Sequence, residues 1–320
     1  MPGCHTWGRQ MLTANRAPLR RMQPETPSMA VGTLERQYID LDCGRVSYLR
    51  HGSGPKLLLV HGIPTSSRLW EPLLGTLGEH YDCIVPDLLG LGRSAPNADA
   101  DLSSPGQATM LSQLLDGLGI DETYAVFHDQ GGSHGQQFLK RHGARVKAVV
   151  FTDVVCYDNW LVPMISVTVW LARHRLIPLL SGIRLLQFIL KRHSLPQTIV
   201  RGRFPAALAQ DWFAALDRGG QLRRDWIRYV IAQSPHWTLD AVPALQSWTK
   251  PARVIWAAED CFLPPSWGVR LAHDIPGSPD DVKLLPFASH FWQAEIPQTG
   301  ARAILEFFNG LDDHPSAPRA

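Results

Sequence analysis

The stretch that most constrains the fold of this chain is Tyr124-Ala-Val-Phe-His-Asp-Gln-Gly-Gly132. An apolar run stops abruptly at His128-Asp129-Gln130, and two glycines then open a segment of helical character. An apolar run of this length, closed by glycine, suits a buried strand. Strand, sharp turn and helix in that order hold one side chain up at the corner. Here that side chain is a carboxylate, Asp129, placed where an attacking group would stand.

The rest of the chain supplies a sheet for such a corner. Gln37–Leu41 and Val46–Leu49 are expected strands joined by a turn at Cys43-Gly44. Lys56–Val60 is a continuous apolar run, as expected of a strand covered on both faces. Cys83–Val85 and Val146–Asp153 continue the series, with helices expected from about Ser67, over Gln107–Gly117 and after the corner. The alternation stops between Cys156 and Thr249, where helical periodicity and tryptophans prevail. It resumes with Ala252–Trp256 and Val282–Leu285 and ends in a helix over Pro297–Phe308.

The expected fold class is therefore α/β: one mostly parallel central sheet flanked by helices, with a helical lid inserted after its sixth strand. The corresponding division is a disordered extension over 1–33, the core in two parts over 34–155 and 250–311, the lid over 156–249 and a disordered tail over 312–320.

A chain of 320 residues can bury the core this requires. A net charge of +2 gives no case for nucleic acid as a partner, and no run of about 18 apolar residues predicts a stable membrane insertion. The five cysteines are scattered and unpaired by spacing, which suits free thiols in a reducing, cytoplasmic setting. Arg9, Arg16, Arg20 and Arg21 make the N-terminal extension basic; a targeting peptide competes there with simple disorder. Between Trp170 and Phe204 lie seven Arg or Lys and no acid. A membrane- or partner-facing amphipathic surface competes with a lid helix that buries its apolar face, and the lid helix is preferred. Gly90-Leu-Gly92 lacks the third glycine of a dinucleotide loop, and nothing has metal-ligand spacing. No cofactor and no metal are expected. The expected partner is a small hydrophobic substrate, bound by a monomer or homodimer.

A nucleophile at a corner needs a base, an orienter for the base and donors for a developing oxyanion. His290 follows the last expected strand and is the candidate base. Asp260, after the penultimate strand, and Asp153, at the end of the strand before the lid, are alternative orienters; Glu259 lies one residue too early. The backbone N–H groups of Gln130 and Ile63 are the candidate oxyanion donors. His61 and His128 border the same loops and are expected to serve structure through hydrogen bonds.

These loops resemble those of the α/β-hydrolase superfamily, on the branch holding haloalkane dehalogenases and epoxide hydrolases. His61-Gly-Ile-Pro-Thr-Ser-Ser-Arg-Leu-Trp70 resembles the dehalogenase HGNPTSS-x-LW segment, and Asp87-Leu-Leu-Gly-Leu-Gly-Arg-Ser94 the DLxGxGxS loop. Phe127-His-Asp-Gln-Gly131 resembles V-H-D-W-G, and His290-Phe-Trp-Gln-Ala-Glu295 the H-Y-x-Q-E motif. The resemblance implies an Asp nucleophile attacking an sp³ carbon, an ester intermediate, and hydrolysis by water activated at His290.

Two departures bear on the leaving group. Dehalogenases of this branch grip halide with a Trp after the nucleophile and an Asn in the HGN loop or a second Trp. This chain has Gln130 and Ile63 there, so Gln130 retains one side-chain donor and Trp160 or Trp170 would have to supply another. Epoxide hydrolases use two lid tyrosines; Tyr229 suits one, whereas Tyr157 lies too early for the other. A non-hydrolytic lyase, isomerase or cyclase using Asp129 and His290 as an acid–base pair is the rival reading. A retained fold serving as a small-molecule binding protein is a third.

Overall fold

A computed structural model describes residues 34–160, 169–176, 206–212, 214 and 219–313. The expected extension over 1–33, the tail from 314 and most of the basic stretch after Arg175 lie outside the described residues.

Among the described residues nine strands form one sheet: β1 (Arg36–Leu41), β2 (Gly44–His51), β3 (Lys56–Val60), β4 (Asp82–Pro86), β5 (Ala95–Pro96), β6 (Thr123–Asp129), β7 (Val146–Val154), β8 (Ala252–Ala257) and β9 (Lys283–Leu285). Their order is β1-β2-β4-β3-β6-β7-β8-β9, with β5 paired to β2 off this path. The pairs β3–β4, β3–β6, β6–β7, β7–β8 and β8–β9 are parallel, and the pairs of β2 with β1, β4 and β5 are antiparallel. The sheet is thus mostly parallel, as the alternation predicted. The short β5 escaped the sequence reading, so the inserted helical segment follows the seventh strand and not the sixth.

The continuous apolar runs have the expected cause. On β3, Leu58 and Val60 face one core while Leu57 and Leu59 face the other. On β6 and β7, Ala125, Phe127, Val149 and Phe151 pack with the first, and Val126, Ala148 and Val150 with the second. A strand covered on both faces has no wet side on which to carry polar residues.

The covering helices are α1 (Glu71–Leu77), α2 (Ser104–Gly117), α3 (Gln130–His142), α4 (Ala206–Trp212), α5 (Gly220–Ala232), α6 (Pro235–Gln246), α7 (Ser266–Asp274) and α8 (Pro297–Asp313). α4, α5 and α6 belong to the segment between β7 and β8. Among the described residues no helix is long and apolar enough to cross a membrane.

The buried Asp87 carboxylate ties the loop after β4 to its neighbours. It accepts from the backbone N–H groups of Ser67 and Arg93 and from the Arg36 guanidinium, at 2.8, 2.9 and 2.8 Å. Cys43, Cys83 and Cys156 are free thiols, but Cys261 is disulfide-bonded, which corrects the expectation of free thiols throughout.

Candidate active site

The carboxyl ends of β3, β6, β7, β8 and β9 open on one side of the sheet, where open parallel sheets place their ligands. From them come Ile63, Asp129, Asp153, Asp260 and His290.

Asp129 sits at φ 52° and ψ −128°, a backbone conformation that L-residues rarely adopt, between the end of β6 and the start of α3. Such strain persists only where the surroundings enforce it. Here two glycines permit the close approach that does so. A Cβ on Gly62 would lie 2.2 Å from Asp129 Oδ2 and 2.5 Å from the Gln130 nitrogen, and one on Gly131 would lie 2.4 Å from the His61 carbonyl. The corner therefore presses directly against the loop after β3.

That contact orients the carboxylate. The Ile63 N–H donates to Asp129 Oδ2 at 2.7 Å, and the Gln130 N–H also bonds the carboxylate. The other oxygen, Oδ1, lies 3.4 Å from His290 Nε2. His290 Nδ1 in turn donates to Asp260 Oδ2 at 2.7 Å, while Asp260 Oδ1 accepts from the N–H groups of Phe262 and Leu263 at 2.7 and 2.9 Å. Between the two candidate orienters, Asp260 makes the hydrogen bond to His290. Glu259 is exposed.

Charge and burial are coupled across this row. Burial alone would push the Asp129 carboxyl up, but the hydrogen bond and charge of His290, helped by His128 and the Gln130 N–H, hold it below the ordinary carboxylate range. Burial likewise opposes a charge on His290. The Asp260 and Asp129 carboxylates outweigh it and hold the imidazole well above its usual value.

Asp153, the penultimate residue of β7, has φ 48° and is fully buried. Burial and the charge of Asp260 keep its carboxyl well above the usual range. Its Oδ1 accepts from the Ala257 N–H and its Oδ2 from the Thr152 hydroxyl, at 2.9 and 2.8 Å. One atom each of Asp153, Asp260 and His290 lie within 4.8 Å of one another. A carboxyl held toward its protonated form and a carboxylate already filled by N–H donors make a poor metal cage.

The two remaining histidines serve the frame. The Leu88 N–H donates to His61 Nε2 at 3.1 Å, which leaves Nδ1–H to donate to the Gly62 carbonyl at 2.9 Å. His128 Nε2–H donates to the His290 carbonyl at 2.9 Å, and burial pushes this imidazole down to about 3, so it stays neutral.

Of the leaving-group candidates, Gln130 turns its amide nitrogen to Gln233 Oε1 at 3.1 Å. Tyr229 is fully buried, with its hydroxyl 2.8 Å from His134 Nε2. Trp160 is buried, and its indole N–H has no partner among the described residues. Trp170 is 54% exposed and rests on His174, which corrects its placement at the site. Tyr157 donates to Asp274 and packs on Trp267, away from the carboxylate row.

The sequence reading missed Ser104, Ser133, His134 and Gln233, which are buried together beside Gln130. The signal was available in α3. Its first turns read Gln-Gly-Gly-Ser-His-Gly-Gln-Gln, all buried, and a polar helix buried on every side must find internal partners.

Residues 55–173 match the family model described as the alpha/beta hydrolase fold. The chain has the α/β-hydrolase fold. It is 27% identical over 297 residues to haloalkane dehalogenase 2 of Mycobacterium tuberculosis, covering 88% of its own length and 98% of the relative's. An α/β-hydrolase fold protein from Burkholderia ambifaria superposes with a TM-score of 0.73 at 23% identity, over 84% of this chain and 97% of that one. A putative epoxide hydrolase from Pseudomonas aeruginosa superposes with a TM-score of 0.72 at 22% identity, over 89% and 98%. A dehalogenase and a putative epoxide hydrolase are thus among the proteins it is similar to.

The two carboxylates near His290 should answer differently to amide substitution. In Asp260→Asn the oxygen is claimed by the Phe262 and Leu263 N–H groups, so an NH₂ faces His290 Nδ1 and imposes the wrong tautomer. The expected loss in kcat is on the order of 10³–10⁴-fold. Asp153→Asn keeps the shape of a carboxyl that burial already holds toward its protonated form, and kcat should stay within about tenfold. Steady-state kinetics on the two variants checks the contrast, and equal losses would contradict it.

Proposed function

We propose that this enzyme hydrolyses a small to medium apolar substrate at an sp³ carbon bearing an oxygen or halogen leaving group, through a covalent ester on Asp129. The observation that carries this reading is the division of labour on one carboxylate. Oδ2 is held by the Ile63 backbone N–H, while Oδ1 lies beside His290 and is free to attack. A carboxylate held below its usual range is ionised without help from a base, which suits attack on carbon.

In the first step an Asp129 oxygen bonds the substrate carbon and the leaving atom departs with the electron pair. In the second, water attacks Asp129 Cγ as His290 takes its proton, and the Ile63 and Gln130 N–H groups hold the oxyanion. Asp260 keeps the charged imidazole oriented. Aromatic rings wall the base: Phe262 stacks on His290 at 5.7 Å, and Phe291 meets it edge-on at 4.7 Å. They favour an apolar substrate. The dehalogenase relative supports the carbon–halogen and related substrate class.

A single turnover in H₂¹⁸O with enzyme in excess tests the ester, using matched alkyl bromides and terminal epoxides. Attack of water on Cγ leaves the label in the Asp129 peptide and unlabelled oxygen in the product. Label in the product alone means direct attack of water and overturns the reading. Label in neither supports the lyase or isomerase alternative.

A further inference from the structure

Two consecutive residues at the carboxyl end of α4, unused by the mechanism above, reach two different loops of the site. The Asp211 carboxylate accepts the Ser66 hydroxyl proton at Oδ2, and its Oδ1 lies 3.5 Å from the Arg93 guanidinium. The Trp212 ring lies 4.5 Å from Phe291, which meets His290 edge-on at 4.7 Å. The segment inserted between β7 and β8 therefore bears both on the loop after β3 and on the loop that carries the base.

Ser66 is 1% exposed and the Asp211 side chain 9%, whereas the Arg93 side chain is 44% exposed. A carboxylate so enclosed needs its partners, since an unpaired charge out of water is costly. An ion pair with a half-exposed arginine is worth little, so the buried Ser66 bond gives this contact its geometry.

Ser66 leads back to the nucleophile. It stands three residues after Ile63, whose N–H donates to Asp129 Oδ2 at 2.7 Å. Between them Thr65 closes the turn, with its N–H and its hydroxyl on the Gly62 carbonyl at 3.0 and 2.8 Å. Ser66 also caps the short helix Ser67–Leu69, its Oγ accepting from the Arg68 N–H at 3.3 Å. The Ser67 N–H donates to Asp87 Oδ1 at 2.8 Å. Asp87 thus ties this loop to the core, and Asp211 ties it to the inserted segment.

We propose that Asp211 is a positioning residue that ties the inserted segment to the loop presenting the Ile63 N–H and so sets that donor for the oxyanion. The proposal rests on the covalent reading above, in which this N–H holds the oxyanion formed when water attacks the ester. Alkylation asks less of the donor, because the Asp129 carboxylate loses charge as its oxygen bonds carbon. Loosening the donor therefore slows hydrolysis of the ester more than its formation.

The test combines hydrogen exchange of the substrate-free enzyme with single-turnover rates of the two steps, using a matched alkyl bromide and terminal epoxide. In Asp211→Leu exchange should rise about tenfold over residues 61–70 and 287–296 and stay unchanged over β6 and β7, which checks folding. The ratio of ester hydrolysis to alkylation should fall on the order of tenfold. Asp211→Asn keeps an oxygen for the Ser66 hydroxyl and should recover most of both effects. Ser66→Ala should lower the ratio as Asp211→Leu does, and the double variant should add little. Unchanged exchange, equal slowing of the two steps, or full additivity of the two substitutions overturns the proposal. Should the wild type form no Asp129 adduct with either substrate, the covalent reading fails and takes the oxyanion role with it. The exchange rates, measured without substrate, still decide whether Asp211 ties the loop.

Discussion

Asp129→Asn is expected to form no adduct with any substrate, with turnover reduced on the order of 10⁴–10⁶-fold, the range seen when a nucleophile is removed. The substitution is close to isosteric. The carboxamide oxygen can still accept the Ile63 N–H that now reaches Oδ2 at 2.7 Å, so the corner should fold unchanged. What disappears is the anion, and a neutral amide does not displace a leaving group from carbon on this timescale.

The same change alters the electrostatics of His290 in a measurable direction. Its imidazole is held up by Asp260 and Asp129 against burial. Because the folded-state value lies above the unfolded one, the pair stabilises the fold fully below the ordinary histidine value, about 6.5. That contribution fades as pH rises through the raised folded value. Removing the Asp129 charge should lower the His290 titration and bring the loss of stability to lower pH. NMR titration of the ring, with unfolding followed across the same pH range, checks both. Residual turnover near the wild-type level would eliminate Asp129 as the nucleophile.

The loops at the sheet's carboxyl ends were legible in the sequence because their chemistry is local. Glycine at 62 and 131, an aspartate between an apolar run and a helix, and a histidine after the last strand each carry their reason within a few residues. The parallel sheet was legible for the same reason, since Lys56–Val60 and Val146–Asp153 leave no polar face. The choice between Asp260 and Asp153 was not legible, because both follow strands that flank the histidine. Their distinction lies in which oxygens backbone N–H groups already fill, a matter of loop conformation. The Ser104–His134–Tyr229 chain was hidden for a related reason. It joins residues 30 and 95 positions apart, and no periodicity encodes such a meeting. The two-residue β5 carries too short a pattern to read at all.

His290→Gln should separate the two chemical steps. Glutamine can keep an N–H on Asp260 Oδ2, whereas His290→Phe would leave that buried oxygen without a donor and the carboxylate without its counter-charge, at a cost of several kcal/mol. Neither residue can take a proton from water. Alkylation asks nothing of a base, since Asp129 is ionised on its own, so the glutamine variant should give a burst of about one equivalent and then stop. The ester should be visible by intact mass, with its hydrolysis slowed on the order of 10⁴-fold.

The wild-type enzyme should imitate this variant in acid. In the ester Asp129 is uncharged, so His290 loses one of the two carboxylates that hold its value up, and its titration falls. As pH drops below that lowered value the imidazole is protonated and cannot act as base. Asp129 of the free enzyme, held below the ordinary carboxylate range, still attacks. Rapid-quench experiments at decreasing pH should therefore find the adduct accumulating as turnover slows. If His290→Gln forms no adduct, or the adduct vanishes together with turnover in acid, His290 is needed before the bond to carbon forms. The acid–base pair of a non-hydrolytic enzyme then becomes the better account of the site.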